Sequence, residues 1–174
     1  MSITSANSPH KGPARDCGLC PRLYEFRETY KARNPDWHNA PVPAFGALDA
    51  RFLIVGLAPG LRGANLTGSP FTGDHAGDLL YSTFIKVGWA RGHYEARADD
   101  NLALINCRVT NAVRCVPPQN KPTGPEVNTC KPFLADEITA MRRLEVILAL
   151  GGLAHGAVVV ALGHRKSAWK FGHN

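Results

Sequence analysis

Four cysteines have a spacing that could supply thiolate ligands to a metal centre. Cys17 and Cys20 form the motif CGLC, and Cys115 and Cys130 follow far downstream with fourteen residues between them. Four thiolates suit either a tetrahedral zinc ion or a [4Fe-4S] cluster. Structural zinc modules usually bring two closely spaced pairs, so the wide second spacing favours a cluster, while zinc and unliganded thiols stay open. Cys107 falls in a predicted strand and is interpreted as a small buried hydrophobic residue.

A glycine-rich stretch follows directly after an apolar run, an arrangement that often holds a ligand. Residues 55–74 read VGLAPGLRGANLTGSPFTGD and contain only two ionisable side chains, Arg62 and Asp74. Glycine lets a ligand approach the backbone closely, and no charged side chain stands near the start of the stretch. No Gly-Lys-Ser/Thr sequence follows, which disfavours a phosphate-binding loop. The alternative is a tight turn between a strand and a helix that binds nothing.

Alternating strands and helices would position these residues. Apolar runs predict strands at 52–55, 102–115 (including the exit of the strand) and 145–152, with helices at 20–34, 73–92, 125–143 and 153–163. This order is typical of an α/β fold with a parallel sheet covered by helices on both faces. In such folds the ligand binds beyond the carboxyl ends of the strands, where the glycine-rich stretch and the segment RVTNAVRC fall.

The composition indicates one basic globular domain. The 174 residues carry 20 lysine and arginine side chains against 14 acidic ones, giving a net charge of +6 and a pI near 9.3. This surplus favours an anionic partner, most commonly nucleic acid, although a basic surface without such a partner fits equally well. We expect a disordered lead at 1–14 and one domain at 15–174. No segment resembles a membrane span or a secretory signal, so we expect a cytoplasmic protein. As a separate expectation, we take the protein to be a monomer.

Four motifs then occur in one chain. They are CGLCPRL from Cys17, GLAPG with GANLTGSPFTGD up to Asp74, RVTNAVRCVPPQNKPT from Arg108, and CKPFL from Cys130. Their combination resembles the uracil-DNA glycosylases with an iron–sulfur cluster, specifically the family 5 branch, from about Cys17 to about Ala161. The resemblance implies a three-layer αβα sandwich with a central parallel sheet of about four strands. It also implies excision of uracil from DNA, and it leaves other deaminated bases open as substrates.

The resemblance implies a cofactor as well. It assigns a [4Fe-4S] cluster to Cys17, Cys20, Cys115 and Cys130. Such a cluster would be structural rather than a redox catalyst, because it would pin the N-terminal helix to the loop PPQNKP.

The first site residues implied by the resemblance lie in the glycine-rich stretch. The backbone of GLAPG would approach the base and the sugar, and its residues are Gly56, Leu57, Ala58, Pro59 and Gly60. Related glycosylases often carry an acidic or amide residue directly after the first glycine to handle the water, and Leu57 stands there in this chain. Our hypothesis is that Asp74, the nearest carboxylate of the motif, positions or activates the water or shields the sugar cation. The alternative is that Asp74 caps a helix.

Two further side chains could recognise the extruded base. Phe71 could stack on it, since aromatic faces suit planar pyrimidines, although packing in the core is the usual role of a phenylalanine. Asn111 can donate and accept, which matches the O4 and N3–H edge of uracil and would reject cytosine. The alternative for Asn111 is a turn residue at the end of a strand.

Four basic residues are candidates for phosphate contacts, although a residue of this kind is more often a solvated surface charge. They are Arg62, Arg114, Lys121 and Lys131.

One expected motif is missing from the sequence. Members of the resembled family carry a histidine, a serine and an asparagine after the third strand and its helix, and this chain shows no such pattern. We therefore expect a chain truncated before its last strand and before this motif, with a natural variant that works without it as the alternative. A second functional hypothesis follows: a non-catalytic, cluster-bearing nucleic-acid-binding fragment or degenerate relative.

Overall fold

Helices and strands alternate along residues 12–73 and 75–172, the part of the chain that the computed structural model describes. The strands are β1 (Phe52–Gly56), β2 (Ala90–Arg91), β3 (Ala103–Leu104), β4 (Cys107–Asn111) and β5 (Val146–Ala149). The helices are α1 (Pro21–Arg33), α2 (Ala64–Thr67), α3 (His75–Val87), α4 (Gly124–Ala140) and α5 (Gly152–Ala161). Asp74 and residues 1–11 of the predicted lead lie outside the described residues.

A parallel sheet in the order β4–β1–β5 forms the centre of the fold. The central strand β1 is apolar on both faces, and its residues Leu53, Ile54 and Val55 are fully buried. The register places Gly56 opposite Asn111, so β1 and β4 end side by side. The predicted parallel α/β sheet is confirmed, and the described residues contribute three of the about four strands that the resemblance implies.

Each face of the sheet is covered by helices. On one face Ile54 packs in a cluster with Tyr81 and Phe84 of α3. On the opposite face Leu53 and Val55 pack in a second cluster whose helical members, from α4 and α5, are Leu134, Ala157 and Val158. Side chains alternate between the faces of a strand, so one apolar run supplies both interfaces. The three predicted layers are therefore present.

The second predicted strand is divided in two. Within 102–115, Cys107–Asn111 joins the parallel sheet, whereas Ala103–Leu104 pairs antiparallel with β2. Asn106 separates the two at φ +55°, and its side-chain Oδ1 accepts a hydrogen bond from the Arg51 amide at 3.1 Å. Asparagine tolerates this left-handed conformation better than most residues, which explains the break.

Helix α4 begins with a network that ties it to α1. Glu126 in its first turn accepts a hydrogen bond from the Thr123 amide at 2.7 Å and an ion pair from Arg22 of α1 at 2.7 Å. The first turn of α4, in which Glu126 stands four residues before Cys130, is thereby fixed against the helix that follows Cys20. None of the described helices is long and apolar enough to cross a membrane.

Candidate active site

Three of the predicted site residues meet at the carboxyl edge of the sheet. A Cβ atom added at Gly56 would stand 2.3 Å from the Phe71 ring atom Cζ and 2.6 Å from Asn111 Oδ1. Both distances are shorter than any real carbon contact, so only glycine fits between these side chains. The residues come from β1, from the segment before α3 and from the end of β4, and together they form one wall.

The Phe71 backbone is held in an uncommon conformation. Its φ is +56°, and its carbonyl accepts a hydrogen bond from the Tyr94 hydroxyl at 3.2 Å. A Cβ atom added at Gly77 of α3 would lie 1.8 Å from that carbonyl oxygen. The neighbouring Pro70 carbonyl accepts from the buried Tyr81 hydroxyl at 2.6 Å. Such a strained position persists only where its surroundings over-determine it, and the half-buried ring is thereby presented beside Asn111.

The amide of Asn111 is buried yet uncommitted within the described part of the chain. The residue is 4% exposed, and none of the hydrogen bonds between described residues uses its side chain. A planar ligand with one acceptor and one donor would pair with both groups of this amide.

The loop GLAPG is fastened through its carbonyl groups. The carbonyls of Gly56 and Leu57 accept from the amides of Ala112 and Val113, both at 2.9 Å. No described backbone or side-chain acceptor takes the amide N–H of Leu57 or of Ala58. These two adjacent N–H groups, on half-buried residues, therefore stay available to a ligand that carries negative charge.

A buried ionic network lies under the end of β4. Glu137 of α4 is fully buried and accepts from Thr110 Oγ1 at 2.9 Å, from Arg108 Nε at 2.6 Å and from the Arg114 guanidinium. Burial raises the pKa of Glu137, but the guanidiniums of Arg114 and Arg108 outweigh it and hold the pKa below its usual range. The network fixes the residues on both sides of Asn111.

The four basic residues predicted as phosphate contacts differ in how far they are buried. Arg114 is buried in the Glu137 network and cannot reach a phosphate, so that prediction is wrong for Arg114. Arg62 and Lys121 are exposed and Lys131 is partly exposed, as a phosphate contact requires. Sequence alone does not distinguish a buried arginine from an exposed one, because its carboxylate partner comes from another element.

The four predicted ligand cysteines gather around one small cavity. Its lining residues are Pro13, Cys17, Leu19, Cys20, Cys115, Thr129, Cys130 and Phe133. Burial raises the pKa of Cys115 to about 12 and also raises the pKa values of Cys20 and Cys130. Thiols in such a place become thiolates only when a positively charged metal centre joins them, so the donor set fits one.

The spacing of the thiols bears on the kind of centre. Across residues 12–73 and 75–172, no three His, Cys, Asp or Glu side chains lie close enough to hold one metal ion. Cys107 lies away from this cavity. As predicted it is buried, where burial raises its pKa to about 11.

Several residues that shape the site were not predicted from the sequence. Gly77 within α3 and the tyrosines Tyr81 and Tyr94 hold the backbone before the helix. Glycine inside a helix is unfavourable unless a neighbour leaves no room for a side chain. Gly77 within the predicted helix therefore indicates a close packing contact at this position. Glu137 gave no such signal, because nothing local distinguishes it from the exposed Asp136.

Comparison with known proteins finds relatives along most of the chain. A family model described as the uracil DNA glycosylase superfamily matches residues 43–171. The chain is 42% identical over 163 residues to a type-5 uracil-DNA glycosylase of Thermus thermophilus, covering 90% of this chain and 74% of that protein. It is 40% identical over 161 residues to a type-5 uracil-DNA glycosylase of Pyrobaculum aerophilum, covering 90% and 71%. A type-4 uracil-DNA glycosylase of the same organism is 32% identical over 152 residues, covering 87% and 63%.

Proposed function

Because this chain belongs to the uracil-DNA glycosylase superfamily and is more similar to type-5 than to type-4 relatives, we propose that it excises uracil from DNA. The reaction is hydrolysis of the N-glycosidic bond, the first step of base excision repair. The observation that carries this proposal is the close approach of both Phe71 and Asn111 to Gly56. An aromatic ring and a free amide at one place suit an extruded pyrimidine.

Asn111 reads the edge of the base in this proposal. Its Nδ2 donates to the uracil O4, and its Oδ1 accepts from N3–H. Cytosine presents an amino donor and a bare nitrogen at these positions, so both contacts would become donor–donor or acceptor–acceptor. The Phe71 ring stacks on the face of the base.

The amides of Leu57 and Ala58 stabilise the leaving base. Negative charge develops on uracil as the glycosidic bond lengthens, and fixed N–H dipoles in a site shielded from water stabilise that charge. The loop that carries these amides needs no rearrangement during the reaction, because the Gly56 and Leu57 carbonyls already accept hydrogen bonds from the amides that follow β4.

Asp74 has the water-handling role in this proposal. The motif supplies no other carboxylate, and Leu57 cannot orient a water molecule. A carboxylate beside the sugar would orient water towards C1′, accept its proton and shield the positive charge that develops there.

The cysteine cavity holds a [4Fe-4S] cluster in this proposal, on Cys17, Cys20, Cys115 and Cys130. When bound, the cluster supplies a cross-link rather than catalysis. It joins the start of α1 to the segment after β4 and to α4, which carries Cys130. The raised thiol pKa values and the shared cavity support this assignment.

The partner is DNA that contains uracil, with other deaminated bases as further substrates to be tested. The net charge of +6 and the exposed Arg62 and Lys121 suit a polyanion. We further propose that the protein acts as a monomer in the cytoplasm.

Excision from a labelled oligonucleotide with one deoxyuridine tests the proposal, with alkali to cleave the abasic site. Cleavage that falls at least about 10²-fold in Asp74→Ala supports it. Asp78→Ala, on the exposed surface of α3, is the matched control and should retain activity. Folded, iron-containing protein that binds the oligonucleotide without cleavage would establish the non-catalytic binding alternative instead.

A further inference from the structure

A buried arginine beside the cysteine cavity has no carboxylate partner. Arg27 of α1 is 1% exposed, and its guanidinium donates to the carbonyls of Cys17 at 2.6 Å and Arg15 at 3.3 Å. Its Nε has no partner, and none of the ion pairs among the described residues includes it. The nearest ring, Tyr24, lies 5.6 Å from the guanidinium. A buried cation without a counter-charge costs several kcal/mol, so a negative charge is expected nearby.

The cysteine cavity is the place where that charge would lie. Arg27 binds the carbonyl of one predicted ligand, Cys17, directly. Four thiolates around a [4Fe-4S] core in its 2+ state carry a net charge of about −2. The other cation at this end of α1, Arg22, is already paired with Glu126.

We propose that Arg27 is a positioning residue for the cluster, neutralising part of its negative charge and fixing the backbone of Cys17. This inference rests on the proposed cluster and extends it to a residue outside the ligand set. The buried guanidinium stabilises four thiolates together, and it favours the reduced cluster, which carries one more negative charge.

The test compares wild type with Arg27→Met, Arg27→Lys and the control Arg33→Met, whose arginine is exposed in the last turn of the same helix. Iron and sulfide content, the rate of loss of visible absorbance in air with a chelator, and the reduction potential are measured on each. Arg27→Met should lose the cluster about tenfold faster and show a more negative potential, because the compensating charge is gone. Arg27→Lys should have a reduction potential near that of wild type. Arg33→Met should match wild type in both the rate of cluster loss and the reduction potential.

A folded Arg27→Met protein with wild-type cluster lifetime and potential overturns the inference and leaves the proposed activity standing. Wild-type protein that excises uracil but contains no iron overturns both the cluster and the role of Arg27. If the Arg27 variants change the cluster as expected but the wild-type protein does not excise uracil, only the proposed activity is overturned. If Arg27→Met does not fold, Arg27→Gln decides, because glutamine can still donate to the Cys17 carbonyl but carries no charge. A more negative potential in Arg27→Gln supports the role of the charge, and an unchanged potential overturns it.

Discussion

At the residue scale, the site depends on the lack of a side chain at Gly56. Its missing side chain lets the Phe71 ring and the Asn111 amide meet over the end of β1. The glycine is required by close approach of neighbours rather than by backbone conformation. The same position is therefore a sensitive test of the proposed site.

Gly56→Ala should lower uracil excision by at least about 10²-fold, since the new methyl group would displace both neighbouring side chains. Overpacking of this kind also destabilises a fold by about 1–3 kcal/mol. Excision rates and urea unfolding measure the two effects. The control is Gly124→Ala, where an added Cβ meets nothing within 4 Å. Equal activity in the two variants would contradict the assignment of the site.

Asn111→Ala should separate recognition from folding. Removing an amide that makes no described hydrogen bond should change the free energy of unfolding by less than about 1 kcal/mol. Loss of both base contacts should lower kcat/KM for uracil by about 10²-fold. Asn128→Ala, on the exposed surface of α4, should leave kcat/KM unchanged. Full activity in Asn111→Ala would remove this residue from the proposed mechanism.

At the scale of elements, helix ends determine where the site-bearing segments stop and start. Helix α3 was predicted to extend through 92, but it ends at Val87 because Gly88 adopts φ +79°. The amide of Trp89 then donates to the Phe84 carbonyl at 2.7 Å, which turns the chain towards β2. Left-handed glycine after the last helical residue is a common termination.

Gly88→Ala should lower the free energy of unfolding by about 1 kcal/mol, because a Cβ is strained at this φ although it would meet no atom within 4 Å. Gly88→Asn should cost less, since asparagine tolerates the left-handed region. Urea unfolding of both variants gives the comparison. Excision activity should be unchanged in both, and equal losses of stability would show that conformation is not the cause.

At the scale of the whole molecule, buried charge connects the sheet to the helices and to the cysteine cavity. Glu137 links α4 to β4, and the amide of its partner Arg114 donates to the Cys130 sulfur at 3.4 Å. The end of the sheet that carries Asn111 and the cysteine cavity are thus connected by one short segment, residues 110–115.

Protonation of Glu137 should make stability depend on pH. Its folded pKa lies below its unfolded value, so the stabilisation is complete above about pH 4.3 and is lost as pH falls through the folded pKa. Glu137→Gln should lower the free energy of unfolding at pH 7 by about 3 kcal/mol, because the buried Arg114 and the partly buried Arg108 lose their counter-charge. Below pH 4.3 its stability should fall less steeply than that of wild type. The free energies of unfolding of wild type and Glu137→Gln are measured by urea unfolding at each pH. If both fall equally steeply below pH 4.3, the assignment is contradicted.

The sequence by itself determined the order of the elements and the positions of the motifs. Apolar runs marked β1 and β5, while prolines and glycines marked helix boundaries, since these signals act within a few residues. The sequence also indicated Phe71 and Asn111 as site residues, although it did not show that both lie against Gly56.

Only the tertiary structure decided the long-range contacts. The contact of Gly56 with Phe71, the free amides of Leu57 and Ala58, and the burial of Arg114 all depend on register and on packing between elements. A side chain is buried or exposed according to neighbours distant in sequence, and local patterns carry no information about those neighbours. The same reason explains why Arg27 and Glu137 emerged only when the helices were packed against the sheet.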